Sequence, residues 1–129
     1  MLFRSFEKVL EKYPNDSRAL YGLAIASVLS GNGARAKELF ERVISAANLA
    51  ASGSQQSVAP VEPEVLAWSH IYLGRIHDLQ QDRDLAVKEY RAALAVDGAP
   101  ATARAAAQSG VKTAYQPPQL HDQNKQQQP

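Results

Sequence analysis

The sequence predicts an all-α fold of antiparallel helix hairpins laid side by side, and three observations carry that expectation. Apolar residues recur at three- and four-residue spacing in every patterned segment. No stretch sustains the period-two alternation of a half-buried strand. Two stretches repeat the same pattern at an offset of 50 residues, which points to one supersecondary unit used twice.

Along the chain, Leu2, Phe3, Phe6, Val9, Leu10 and Tyr13 form a single stripe, so residues 1–14 predict a first helix that Pro14 ends. Asn15 and Asp16 offer N-caps for a second helix over about 17–30, which puts Leu20, Leu23, Ala24 and Ser27 on one face. Gly31-Asn32-Gly33 ends it, with a glycine suited to the left-handed position after a helix. The third helix shows the clearest spacing, with Ala36, Leu39, Phe40, Val43, Ile44 and Ala47 on one face and Glu38 and Arg42 four apart on its flank. Residues 50–62 are small, polar and proline-bearing, and predict a surface loop; Pro63 suits the first turn of a fourth helix, running to about Gln80. Asp82 caps a fifth helix over about 83–96, and Gly98 and Pro100 stop it. A short alanine-rich helix over about 101–109 is expected to close the domain before Gly110. The Pro/Gln-rich residues 111–129 are expected to stay disordered for lack of apolar surface.

Composition excludes several classes of function. With 14 Lys and Arg against 13 Asp and Glu, the charge of +1 gives no electrostatic basis for nucleic acid or an anionic membrane. Cysteine is absent, which removes disulfides, thiolate metal sites and cysteine nucleophiles. No segment approaches the roughly 20 apolar residues of a membrane span, and the start lacks the apolar stretch of a signal peptide. A soluble, cytoplasmic protein is the default expectation.

The repeat is specific in its detail. Leu20-x2-Leu23-Ala24 corresponds to His70-x2-Leu73-Gly74, Ala36-x3-Phe40 to Ala86-x3-Tyr90, Val43-Ile44 to Ala93-Leu94, and Gly31 to Gln81. Small residues let two helices approach while Phe40 and Tyr90 fill the space beside them. This pattern resembles the tetratricopeptide repeat, W-x2-L-G-x2-Y followed by A-x3-F and P over about 34 residues. The excess of about 16 residues matches the loop after Leu49 plus the start of the fourth helix. His70 stands in place of the usual Trp, and Ser27 and His77 in place of the Tyr. Phe6, Val9-Leu10 and Pro14 fit the end of a second helix, so residues 1–14 form a half-repeat, followed by repeats over 17–50 and 63–98 and a capping helix over 100–109.

The resemblance implies a short right-handed superhelix whose first helices line a concave face. Its groove positions would be Arg18, Tyr21, Ile25 and Val28 in one repeat and Trp68, Ile71, Arg75 and Asp78 in the next. Tyr, Trp and Arg dominate binding energy at interfaces. The plainer alternative packs Trp68 and Ile71 under the loop or against the following helix. The stripe Leu2, Phe3, Phe6, Val9 and Leu10 either caps the stack or presents a surface for a second copy or an upstream segment. His70 and His77 lie seven apart at packing positions, too far apart for the closer spacing of metal ligands. Gly31-Asn32-Gly33 follows a helix rather than a strand, and no nucleophile has a base at supportable spacing. No catalytic residue, cofactor or metal is therefore expected. The function expected is a non-catalytic scaffold for a protein or peptide, with an oligomerisation module, or a fragment of a larger repeat protein, as the alternatives.

Overall fold

The structure, a computed structural model, describes residues 2–53 and 59–117, with side chains from Arg4 onward. The loop residues 54–58, the tail 118–129 and the side chains of Leu2 and Phe3, named above as contacts for a second copy, lie outside the described residues.

Six helices and no strand occur among the described residues: α1 (Leu2–Lys12), α2 (Ser17–Leu29), α3 (Gly33–Ala51), α4 (Pro63–Leu79), α5 (Arg83–Leu94) and α6 (Ala101–Lys112). Three of the starts are fixed by carboxylate or amide caps. Asp16 accepts from Ala19 N at 2.9 Å, Asn32 from Arg35 N at 3.1 Å and Asp82 from Leu85 N at 3.4 Å.

The 50-residue offset holds down to individual hydrogen bonds. At the turn after α2, Gly31 N donates to Val28 O at 3.0 Å and Asn32 N to Ser27 O at 2.8 Å. After α4, Gln81 N donates to Asp78 O at 3.0 Å and Asp82 N to His77 O at 2.9 Å. Gly31 sits at φ 81° and Gln81 at φ 65°, so a glutamine takes the left-handed conformation that glycine takes one repeat earlier. The two turns that the sequence aligns are thus closed in the same way.

Packing follows a repeating rule. Helix α2 lies on α3 and α4 on α5 as hairpins; α4 also touches both α2 and α3, and α6 touches both α4 and α5. The backbones of α3 and α5 do not come within 8 Å of each other, Cα to Cα. Two buried clusters result. Leu20, Leu23, Ala24, Ala36, Leu39, Phe40, Val43, Val65 and Leu73 form the first; Ala67, Ile71, Ala86, Tyr90, Ala93, Ala99, Ala103 and Ala107 form the second. Helix α4 contributes to both.

Two expectations are corrected by this packing. Gly110 does not end the last helix, which continues to Lys112. Its missing Cβ makes room for Tyr90: a Cβ built at Gly110 would lie 2.7 Å from three atoms of that ring. Residues 113–117, expected in the disordered tail, are instead placed against α4 through Tyr115. Close approach at a glycine also governs the first helix, where Phe6 lies over Gly22, a contact so tight that a Cβ there would come within 2.3 Å of Phe6 Cζ.

Candidate recognition face

The helical repeat puts Arg18, Tyr21, Ile25 and Val28 on one face of α2 and Trp68, Ile71, Arg75 and Asp78 on one face of α4. The structure separates these eight residues into three groups. Tyr21, Ile25, Val28, Trp68 and Arg75 are half-buried, and the first four pack against the core clusters. Arg18 is exposed and bonds Glu62, with its Nε donating to Oε1 at 2.9 Å, which ties the start of α2 to the segment before α4.

Ile71 and Asp78 do not join the exposed face. Ile71 is 0% exposed because the alanines of α6, Ala103 and Ala107, are small enough to bring that helix down onto it. Asp78 has a side chain only 1% exposed, enclosed by two residues of α5 and one from the segment after α6. Its carboxylate accepts from Arg83 Nη1 at 2.9 and 3.0 Å, from the Tyr90 hydroxyl at 2.8 Å and from Tyr115 N at 2.9 Å. Burial alone would raise its pKa, yet the Tyr115 N–H, the Tyr90 hydroxyl and the Arg83 guanidinium outweigh it and hold the carboxyl below its ordinary value. Asp78 is an internal tie, since Arg83 Nη2 also donates to the carbonyls of Gly110 and Val111 at the end of α6.

One aromatic residue absent from the expected set, Tyr72, belongs to this face. Tyr72 stacks on Phe40 with ring centres 5.1 Å apart, and Phe40 meets the edge of Tyr21 at 6.0 Å. On the other side Tyr72 lies 6.0 Å from Trp68. An aromatic row therefore crosses from α2 through α3 to α4, each contact contributing about 0.5–1.5 kcal/mol beyond burial. The Arg75 guanidinium then sits among three rings, 5.7 Å from Trp68, 5.5 Å from Tyr72 and 4.9 Å from Tyr115. Trp68, Tyr72 and Arg75 recur at i, i+4 and i+7, a spacing that marks them as one face in the sequence itself. Burial, with smaller effects from Tyr72 and Glu64, pushes the Tyr21 hydroxyl up to about 12, so it remains a neutral donor and acceptor at physiological pH.

The remaining candidates divide as follows. On α1, Phe6 and Leu10 pack against the first cluster, while Val9 is 38% exposed; the surface left for a second copy is therefore smaller than the stripe suggests. His70 Nδ1 lies 3.5 Å from Glu89 Oε1 between α4 and α5, and the Ser27 hydroxyl donates to Leu23 O at 2.9 Å. Among the described residues no group of three or more His, Asp or Glu is placed to hold a metal ion. No helix among them is long and apolar enough to cross a membrane.

Comparison with known proteins bears on the first three helices. Residues 3–52, covering α1 to α3, match a family described as tetratricopeptide repeat. Domains of that family generally serve as non-catalytic scaffolds in protein–protein interaction. No curated protein matches the chain.

Proposed function

We propose, taking residues 3–52 as the tetratricopeptide-repeat segment they match, that the chain is a non-catalytic scaffold binding an extended protein segment along the α2–α4 face. First helices touch their successors (α2 with α4, α4 with α6) whereas α3 and α5 stay apart, an arrangement that favours an arc with the first helices on its inner side. The observation that carries the reading is the run of half-buried Tyr21, Ile25, Val28, Trp68 and Arg75 along that side, crossing from one repeat into the next. Aromatic and arginine side chains already ordered by packing lose little freedom when a guest arrives. The near-neutral charge of +1 favours a protein partner over nucleic acid.

The test is affinity capture by the full chain, with Trp68→Ala and Tyr21→Ala as comparators whose helix content and melting match wild type. The expected result is a partner retained by wild type and depleted at least tenfold by either variant. An identical set of proteins on all three would sink the reading. A Val9→Asp variant serves the oligomerisation alternative: sedimentation of a multimer that this substitution dissociates, with an indifferent α2–α4 face, would favour that alternative.

A further inference from the structure

We propose that residues 113–117 are a built-in ligand of the recognition face, which an extended peptide bearing an aromatic residue displaces. The inference rests on the scaffold reading and deepens it by naming the chemistry of the guest.

Beyond α6 the backbone runs without helix or strand from Thr113, which is extended at φ −140°, to Pro117. Pro117 disfavours a helical Gln116 and so keeps the segment extended. Thr113, Ala114, Gln116 and Pro117 are exposed, and only Tyr115 is half-buried. Two contacts hold it to α4: Tyr115 N donates to Asp78 Oδ2 at 2.9 Å, and its ring lies 4.9 Å from the Arg75 guanidinium. The ring contact falls on the half-buried face that holds Trp68 and Arg75, and the hydrogen bond reaches Asp78, which Tyr115 helps to enclose at the end of that face. Neither contact is particular to this segment, since a backbone N–H and an aromatic ring are what any extended chain with a Tyr, Phe or Trp presents.

The site survives the segment's departure. Asp78 keeps the Tyr90 hydroxyl at 2.8 Å and Arg83 at 2.9 Å, so its buried charge remains paired. Arg83 keeps the Gly110 and Val111 carbonyls, so α6 stays anchored. Trp68 and Tyr72 still flank Arg75. A segment held by one hydrogen bond and one ring contact belongs to the low-stability end of a fold, and opens without unfolding what lies beneath. Tethering gives it an effective concentration of order millimolar, which a competing peptide in solution has to overcome.

The probe is a blocked synthetic peptide with the sequence of residues 112–118, titrated into the full-length chain and followed by the fluorescence of Trp68, the sole tryptophan. Tyr115→Ala, which vacates the Arg75 ring contact, is expected to bind the peptide at least tenfold more tightly than wild type. The same peptide with Ala for Tyr should bind neither protein, and adding Arg75→Ala to Tyr115→Ala should abolish binding. Circular dichroism melts confirm that each variant is folded. Equal affinity for wild type and Tyr115→Ala, no binding to Tyr115→Ala up to millimolar peptide, or binding indifferent to Arg75 would each overturn the proposal. If that happens while Trp68→Ala still depletes a captured partner, the internal ligand fails and the scaffold stands.

Discussion

Replacing Gly110 with alanine should destabilise the array, although alanine is the better helix former. The Tyr90 ring is wedged between two glycines: a Cβ at Gly74 would lie 2.6 Å from its Cε1, and one at Gly110 would lie 2.7 Å from Cδ1, Cε1 and Cε2. Ordinary contact begins near 3.4 Å, so the ring or α6 has to yield by about 0.7 Å, the difference between 3.4 and 2.7. The ring cannot give way, because its far face meets Gly74 and its hydroxyl is tied to Asp78 at 2.8 Å. Overpacking of this kind costs typically about 1–3 kcal/mol, and the gain in helix propensity returns about 1. With both faces of the ring pinned, the net loss should fall near 1–2 kcal/mol, a drop in melting temperature of about 4–8 °C for a domain of this size. Gly33→Ala, with nothing within 4 Å of the added carbon, is the control and should leave the melt unchanged or slightly raised. Thermal melts by circular dichroism decide the matter. If Gly110→Ala melts at or above wild type, the argument that Tyr90 dictates the glycine is wrong.

Gln81→Gly should stabilise the chain by about 0.5–1 kcal/mol in a denaturant titration, because Gln81 holds φ 65° where glycine carries no steric penalty. Gly22→Val should push α1 off α2, since Phe6 fills the space beside Gly22; hydrogen exchange is expected to lose protection over residues 2–12 while α4 and α5 keep theirs. Asp78 has a folded-state pKa below its ordinary 3.8, so the unfolded chain takes up the proton first as pH falls. The stability it contributes is therefore full above about pH 4 and is lost as pH drops through the folded value. Asp78→Asn should weaken the protein at neutral pH and flatten its acid limb, as followed by urea melts between about pH 2 and 6.

Much of the architecture was legible because it rests on local signals. Pro14, Asp16, Pro63 and Asp82 mark helix boundaries through effects within one turn, and the alanine–leucine spacing marks the buried faces. The correspondence of Gly31 with Gln81 extends to backbone angles, because two turns with the same role are closed by the same hydrogen bonds. What escaped is nonlocal. A glycine late in a helical pattern ordinarily signals its end, and only the ring of Tyr90, 20 residues earlier, shows that Gly110 is there to be approached. Helical phase puts Ile71 and Asp78 on the outward face of α4, but it carries no information about α6 descending on one or about Arg83 and Tyr90 enclosing the other. Tyr115 stands alone in a polar stretch, and nothing near it in sequence announces Arg75 as its neighbour.

Helix α4 sends Val65 and Leu73 into one buried cluster and Ala67 and Ile71 into the other, so it is the single wall the two share. Damage on one side reaches the other only through that wall. Loss of the Tyr90 wedge should let α5 and α6 peel away while α1 to α3 stay assembled, and denaturation of such a variant would then pass through a half-folded species instead of a single step.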